Sequence, residues 1–379
     1  MITKFFIITL IIVKDVCSQQ CQLSAANMNK SWVFAVATPL NKVELLHRDI
    51  LQDQEQLYLI CKNNDVIRLR CNHGRMSNIP AGARCSRRIK ATINPIDNEK
   101  CRQNNGQMYD IRYALPIGEG VQSLYQVCYS GNFEAPIYSR HLVYRFNLAA
   151  SPYQRPQFVT GGVVSQSRAD SFETANIFNS FVRLLGYAQN YVKSPRVGDR
   201  IMDRGHLVNS QDFLTYDQMD ETFKYINVMA QFGSINRSNW KKIENWIHKL
   251  PHTGTETFVE VVTGTFGVLE LPHSQTQRPT PMFLMANNKN PIPKWSYKVA
   301  KYEGKCHAFV TYNNPFGRPN LSESPCVSVP CPLYLNFNNT ITEGGASDCC
   351  DPYRLAVIVG DQANLCRANT SRKRIRPHS

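Results

Sequence analysis

The first third of the chain alternates short apolar runs with turn-forming residues. Residues 32–36, 56–60 and 66–70 are rich in β-branched and aromatic side chains, and Asn, Asp and Gly separate them. This pattern predicts a β-rich module, which we expect to extend from residue 19 to residue 140. Its basic side chains form either a nucleic-acid surface or an ordinary solvated face, and they are Arg68, Arg70, Arg75, Arg84, Arg87, Arg88 and Lys90.

Beyond residue 140 the apolar pattern predicts both helices and strands. Trp240, Ile243, Ile247 and Leu250 recur at helical spacing, which predicts an amphipathic helix with one buried face. Another helix is predicted to follow the capping-box pattern of residues 170–173 and to end before Pro195. Strand-like runs occupy residues 142–148, 258–264, 294–300, 307–315 and 354–360.

One polar stretch has the residue types of a catalytic site. It begins with Asp-Arg-Gly-His at residues 203–206 and continues with Asn227, Asn236 and Glu244. Histidine takes a proton from water near neutral pH, an asparagine carbonyl suits a hard cation that keeps several waters, and a glutamate can hold those waters. On one straight helix Asn236 and Glu244 would be roughly 12 Å apart, so only one of them can ligate directly. The stretch indicates metal-assisted phosphodiester cleavage, although a single histidine is more often structural.

In these residues the chain resembles the DNA/RNA non-specific endonucleases, the family of the Serratia nuclease and endonuclease G, which includes secreted animal members. The resemblance implies an α+β fold with a ββα-metal finger and a central antiparallel sheet, preceded here by a small disulfide-rich β module. It further implies that His206 is the general base and that Asn236 is the sole direct ligand of Mg²⁺, or of Mn²⁺ in its place. Glu244 would order water on the metal, and Asn227 would support the site.

The same resemblance extends from about residue 141 to residue 366 and concerns two further positions. Arg155 follows a predicted strand, as does the family arginine that approaches the scissile phosphate, and a guanidinium can hold two phosphoryl oxygens. His248 stands where the bacterial enzyme has a second arginine. This difference leaves open whether Lys249, another basic residue or a protonated His248 contacts the phosphate.

The start of the chain and its cysteines both indicate export. Residues 1–18 have the charged beginning, the short apolar run and the cleavage site of a secretory signal, and no later run is long enough to span a membrane. Cys17 belongs to that signal, and the other twelve of the 13 cysteines form two even groups, residues 21–128 and 306–366. An oxidising compartment favours disulfides within each half over zinc sites, whose spacings are absent.

The charge balance favours a polyanionic partner. Lys and Arg number 43 against 29 Asp and Glu, a net charge of +14, and residues 367–379 form a basic tail. Such a surface favours phosphate backbones through counterion release, and no base-reading module is evident. We therefore expect both DNA and RNA, duplexes included, as substrates. No pattern in the sequence predicts the oligomeric state.

Two alternatives concern the activity and modification of the secreted protein. A catalytically impaired nucleic-acid scavenger with the same fold would suit the change to His248, whereas the intact His206, Asn227, Asn236 and Glu244 favour an enzyme. Acceptor patterns for N-glycosylation predict a glycoprotein and occur at Asn29, Asn320, Asn338 and Asn369. Asn236 also lies in such a pattern, but as a metal ligand it is predicted to be unmodified.

Overall fold

The computed structural model describes residues 19–24, 32–38, 42–62, 65–118, 121–148, 154–193, 201–360 and 365–366. The N-terminal strands in these ranges are β1 Cys21–Gln22, β2 Val33–Ala37, β3 Val43–Leu45, β4 Ile50–Leu51, β5 Gln56–Ile60, β6 Val66–Asn72 and β7 Arg75–Met76. Five of them form an antiparallel sheet in the spatial order β3-β2-β5-β6-β7, and β1 pairs with β4. The three strands predicted in this region are confirmed.

Strand β6 has one buried and one exposed face. Leu69 is buried, and Arg68 and Arg70 on either side of it are exposed, as expected where successive side chains point to opposite faces. Arg88 differs from these two arginines because it forms an ion pair with Asp220. It therefore holds the N-terminal part of the chain against a later helix and does not contribute to an open basic face.

A larger antiparallel sheet occupies the centre of the described structure. The remaining strands are β8 Thr92–Ile96, β9 Gln107–Ala114, β10 Val121–Ser130, β11 Ala135–Tyr144, β12 Met202–His206, β13 Val228–Phe232, β14 Phe258–Val268, β15 Glu270–Pro272, β16 Pro279–Pro281, β17 Pro293–Tyr302, β18 Lys305–Tyr312 and β19 Ser347–Cys350. Eight of these described strands form the large sheet in the order β19-β18-β17-β14-β11-β10-β9-β8, while β12 pairs with β13 and β15 with β16. The α+β class with a central antiparallel sheet is confirmed.

The division expected between residues 140 and 141 falls inside β11. Strands β8 to β11 come from the region assigned to the N-terminal module, yet β11 is hydrogen-bonded to β14 from Tyr138 to Tyr144. Because paired strands share backbone hydrogen bonds, β8 to β11 belong to the same sheet as the later strands. The change from the smaller to the larger sheet lies between Met76 and Thr92.

The helices cover both faces of the large sheet. Their bounds are α1 Glu99–Gln103, α2 Gln166–Asp170, α3 Thr174–Leu185, α4 Tyr216–Glu221, α5 Gly233–Asn236, α6 Asn239–Lys249 and α7 Pro352–Ile358. The apolar stripe of α6 packs against one face, in a core that also contains Val261 and Ala300. On the other face, Val262 and Val299 lie in a core with Leu355 of α7. Leu207, which follows the Asp-Arg-Gly-His motif, lies in the same core as the stripe of α6, so the motif borders the face covered by α6.

The helical stripe predicted for α6 is confirmed, but two other local predictions are wrong. Residues 354–358 lie in α7, and residues 354–360 form no strand. Asp351 is the N-cap of α7, its carboxylate accepts hydrogen bonds from two backbone N–H groups, and Pro352 lies in the first turn. The capping box predicted at residues 170–173 is also absent from this described segment. Glu173 is the N-cap of α3 without a side-chain bond, and Asp170 ends the separate helix α2.

Six disulfides join the twelve cysteines in the described ranges, and each closes within its own half of the chain, as predicted. The pairs are Cys21–Cys71, Cys61–Cys85, Cys101–Cys128, Cys306–Cys366, Cys326–Cys350 and Cys331–Cys349. Each bridge restricts the unfolded chain and so favours the folded state. The predicted signal, which includes Cys17, and the basic tail lie outside the described residues. None of the described helices is long and apolar enough to cross a membrane.

Asp217 on α4 makes the stability of the protein depend on pH. Its carboxyl group is buried beside Tyr113, and burial raises its pKa to about 7. Between the ordinary pKa of 3.8 and pH 7 the folded protein keeps a proton that the unfolded chain has released. The free energy of unfolding is therefore expected to fall as pH rises through this window, by at most about 1.4 kcal/mol per pH unit for one carboxyl.

Asp217→Asn is expected to remove this part of the pH dependence, because an amide has no proton to release. Urea denaturation at pH 5, 6, 7 and 8 measures the effect. Asp97→Asn is the control, since the Asp97 side chain is 78% exposed. Equal pH slopes for the wild type and Asp217→Asn would contradict the assignment.

Candidate active site

The Asp-Arg-Gly-His motif forms strand β12, and its glycine permits the hairpin with β13. Asp203 pairs with Gln231, and His206 pairs with Val228. A Cβ atom on Gly205 would lie 2.8 Å from the Cβ of Gln231, closer than real side chains approach. Glycine is therefore required here by packing against the neighbouring strand.

His206 presents a neutral imidazole with one free nitrogen. Its Nε2 atom is buried and has no hydrogen-bond partner in the described part of the chain, while its ring contacts Phe158 and Phe223 at centroid distances of 5.2 Å and 4.8 Å. The backbone of Arg204 interacts with the imidazole and favours its protonated form. Burial first, and then the charge of Arg155, lower the pKa of His206 to about 3. Nε2 therefore has a lone pair with which to accept a proton.

Asn236 is held next to the motif by Asp203. The Asn236 amide Nδ2 donates a hydrogen bond of 3.0 Å to Asp203 Oδ2, and Arg237 forms an ion pair of 2.8 Å with the same carboxylate oxygen. The bond through Nδ2 fixes the amide and leaves its carbonyl oxygen, Oδ1, for a cation. Asn236 ends α5 and Glu244 lies on α6, so the two side chains do not share one straight helix.

Glu244 lies in a pocket of opposite charge at the sheet. Its carboxylate is 3.9 Å from the ammonium group of Lys298, and its side chain is only 13% exposed. Burial raises the pKa of Glu244 to about 7, Lys298 opposes this shift, and Asp212 adds to it. This carboxyl group can therefore hold or release a proton near neutrality.

Lys298 links the elements of the site. Its Nζ donates to the carbonyl oxygen of Leu207 at 3.0 Å and to Thr263 Oγ1 at 2.9 Å, and it lies 4.9 Å from the ring centroid of Trp240. Leu207 follows His206, Thr263 is in β14 and Trp240 is in α6. One buried ammonium group thus ties the chain after His206 to the sheet and to the helix of Glu244.

A second buried pair lies beside this group. His141 Nε2 is 2.8 Å from Asp212 Oδ2, and both side chains are buried. The charge of Asp212 also acts on Glu244 and Lys298. Neither His141, Asp212 nor Lys298 stands out in the sequence, because a strand residue and a turn residue become neighbours only through the tertiary fold. The one available signal was a lysine inside an apolar strand run.

The other predicted site residues have different positions. Arg155 is exposed and close enough to His206 to depress its pKa. Asn227 is fully buried, and its amide bonds to the backbone of Val208 in both directions and to the carbonyl oxygen of Thr222. Asn227 therefore holds the backbone of the loop after His206 from inside the protein, and its side chain does not reach the surface.

His248 packs against an aromatic side chain. Its ring packs edge-on against Phe146 with the centroids 5.2 Å apart, and its Nδ1 atom is buried without a partner among the described residues. Which basic residue takes the place of the family's second arginine stays a prediction.

The residues present fit a hydrated divalent cation. Asn236 supplies an amide oxygen that Asp203 holds in place, and Glu244 supplies a carboxylate that can bind water. Oxygen donors with retained waters are what Mg²⁺ prefers in proteins. Asn236 would hold the ion directly and Glu244 through water.

Lys298→Met is expected to lower the free energy of unfolding by about 3–5 kcal/mol, since it leaves Glu244 buried without its cation. Urea denaturation measures this loss. Lys301→Met is the matched control on the same strand, because Lys301 is 38% exposed and its pair with Glu260 is worth at most about 1 kcal/mol. Equal effects of the two substitutions would show that the buried pair does not stabilise the site.

The fold and the site together define a nuclease-like α+β protein with a histidine and an asparagine on a ββα unit. The family model for DNA/RNA non-specific endonuclease matches residues 104–343, more than half of the chain, and the protein belongs to this family. The match begins at residue 104, before the expected start at residue 141. It includes all five predicted site residues.

Relatives with salivary names are similar to the chain. A salivary endonuclease of Lutzomyia longipalpis is 27% identical over 269 residues, covering 69% of this chain and 62% of the relative. Salivary protein Tsal1 of Glossina morsitans morsitans is 28% identical over 227 residues, covering 57% and 54%. The chain thus spans less than two thirds of either relative. A solved chain of the EndoG/EndoGI complex aligns with a TM-score of 0.32 and 20% identity, covering 50% of this chain and 71% of that one.

Proposed function

We propose that the protein is a secreted, metal-dependent endonuclease that hydrolyses phosphodiester bonds of DNA and RNA, duplexes included. The observation that carries this proposal is His206, the histidine of the Asp-Arg-Gly-His motif. Its Nε2 atom has no hydrogen-bond partner among the described residues, and the charge of Arg155 acts on its ring. A lone pair beside a guanidinium is the arrangement that a general base and a phosphate-binding group require.

His206 accepts the proton of the attacking water at Nε2, which has no other hydrogen-bond partner among the described residues. A bound phosphate brings negative charge next to the ring, which raises the histidine pKa and strengthens the base. Arg155 is available to hold phosphoryl oxygens as charge develops on them. A divalent cation held by Asn236, with Glu244 binding its water, would supply Lewis-acid stabilisation of the phosphate and the leaving oxygen. Because the nucleophile is water, the sugar 2′-hydroxyl is not needed, and we expect products with 5′-phosphates from both nucleic acids.

Three observations support export. The described cysteines are all in disulfides, which persist in oxidising compartments. Two glycosylation acceptors, Asn320 and Asn338, are exposed. The names of the relatives are those of salivary proteins. Residues 1–18 supply the expected signal, and mass spectrometry of secreted protein would show whether the mature chain begins at residue 19.

A time course of cleavage tests the catalytic proposal. Purified protein is incubated with plasmid DNA and with long double-stranded RNA, each with Mg²⁺, with Mn²⁺ and with excess chelator. We expect both substrates to be degraded only where a divalent cation is present. Binding without cleavage in every condition would instead support the nucleic-acid scavenger, for which His248 in place of the family's second arginine is the favouring observation.

A further inference from the structure

An open cavity of about 320 Å³ lies beside the aromatic side chains that contact His206. Its lining includes the rings of Phe158 and Tyr225, whose centroids are 5.6 Å apart. The Phe158 ring is also 5.2 Å from that of His206, so one side chain borders both the cavity and the catalytic histidine. A volume of this size is at the lower end of the roughly 300–1,000 Å³ typical of small-molecule sites.

The polar side of the cavity presents hydrogen-bond acceptors. Gln166 donates through Nε2 to Asp170 Oδ1 at 2.7 Å, and both side chains line the cavity. This bond orients the pair, while no described residue donates to Gln166 Oε1 or Asp170 Oδ2. Glu173 also lines the cavity, and Arg204 of the catalytic motif holds it by an ion pair of 2.8 Å.

The charge of the cavity lining disfavours the phosphate of a nucleotide and favours its base. Asp170 has no cationic partner among the described residues and repels a phosphate, whereas Arg204 offsets the charge of Glu173. Carboxylate oxygens accept hydrogen bonds from the exocyclic amino groups of bases. Tyr225 is buried, so the partly exposed ring of Phe158 is the aromatic surface of the lining that an unpaired base can reach. The cavity is therefore complementary to a base with an amino group.

We propose that this cavity binds one unpaired nucleobase that carries an exocyclic amino group, within a nucleotide or two of the scissile phosphate. The proposal rests on the proposed nuclease function for its substrate. Cytosine, adenine and guanine donate to the acceptors through an exocyclic amino group, whereas thymine and uracil lack that group and have the ring N3–H as their base donor. A paired base keeps its amino group in the duplex and enters only when flipped out, at a cost in stacking and pairing. The selection is therefore strongest on single strands.

Sequencing of the product ends from a random single-stranded DNA or RNA tests the proposal. We expect thymine or uracil to be depleted about threefold or more at one position near the cut, as an order of magnitude for one net hydrogen bond. Asp170→Asn should abolish or reverse the depletion, because its Oδ1 still accepts from Gln166 while its NH₂ group can donate to a base carbonyl. Glu99→Gln is the matched control, since Glu99 is an exposed carboxylate that accepts from Gln103 four residues along another short helix.

A binding measurement in chelator separates this inference from the proposed activity. Fluorescence anisotropy with oligo(dC) and oligo(dU), which differ at the exocyclic group, should show tighter binding of oligo(dC) by the wild type and by Glu99→Gln. Asp170→Asn should lose that difference. Discrimination without any cleavage in metal would support the cavity while refuting the nuclease proposal. Cleavage with the same end composition in the wild type and Asp170→Asn, or equal affinity of the wild type for both oligonucleotides, would overturn the cavity proposal.

Discussion

Replacing His206 by alanine is expected to lower the turnover rate on plasmid DNA and on RNA by about 10²–10⁴-fold, the range for loss of a general base. The substitution removes Nε2 of His206, a buried atom with no hydrogen-bond partner among the described residues, on a ring whose lowered pKa favours the neutral form. Binding of nucleic acid should be nearly unchanged, because the neutral imidazole adds no charge to the surface. Rates with saturating substrate and Mg²⁺, together with anisotropy in chelator, measure both quantities.

His307→Ala is the matched control for this experiment. His307 is also half-buried, and its ring lies edge-on to Trp246 with the centroids 5.0 Å apart. Its loss tests the general cost of removing a packed imidazole at a position in β18, away from the Asp-Arg-Gly-His hairpin. A His206→Ala protein that retained wild-type turnover, or a His307→Ala protein that lost as much, would refute the assignment of His206 as base.

Local patterns predicted the parts of the fold that local physics decides. The stripe on α6 was visible because Trp240, Ile243 and Ile247 recur at the spacing that places them on one face, and all three are buried. The order of strands in the large sheet had no such signal. Pairing of β11 with β14 joins residues more than one hundred positions apart, and it forms because of tertiary packing.

The run at residues 354–360 shows how a short apolar pattern can mislead. Its length and composition suit a strand as well as a buried helix, and periodicity alone does not separate the two. The deciding signals lay just before it, where Asp351 caps the helix and Pro352 occupies its first turn. The two residues at the start of the helix thus distinguish a helix from a strand here, and the apolar residues after them do not.

Only some residues of the candidate site could be predicted from the sequence. Its motif residues lie on one hairpin and the helices after it, so their spacing along the chain announced them. The supporting residues come from distant strands and turns, and His141, Asp212 and Lys298 meet only when the sheet is complete. Their chemistry is nevertheless tied to the motif, because Lys298 bonds to the residue after His206 and neutralises Glu244. The sequence therefore identifies the motif residues, whereas only the structure identifies the residues that support them.

Asn236→Ala is expected to reduce cleavage more than 100-fold at a fixed, low Mg²⁺ concentration. Loss of groups that merely orient metal ligands costs roughly 10–100-fold in metal affinity or activity, so loss of a direct ligand should exceed that range. Raising the Mg²⁺ concentration should recover part of the activity, because the defect lies in holding the cation and the base His206 is intact. Initial rates across a Mg²⁺ titration measure both effects, and the same maximal rate and half-saturating Mg²⁺ concentration as the wild type would contradict the ligand role.

Asn338→Ala is the matched control for this asparagine, because both residues lie in glycosylation acceptor patterns and only Asn338 is exposed. The Nδ2 atom that a glycan would occupy on Asn236 instead donates to Asp203. Peptide mass spectrometry of active secreted protein should therefore find Asn236 unmodified, while Asn338 is accessible to glycosylation. A glycan on Asn236 in active protein would break the bond to Asp203 and place a sugar at the metal position, so that its detection would exclude Asn236 as the ligand whatever the Mg²⁺ titration showed.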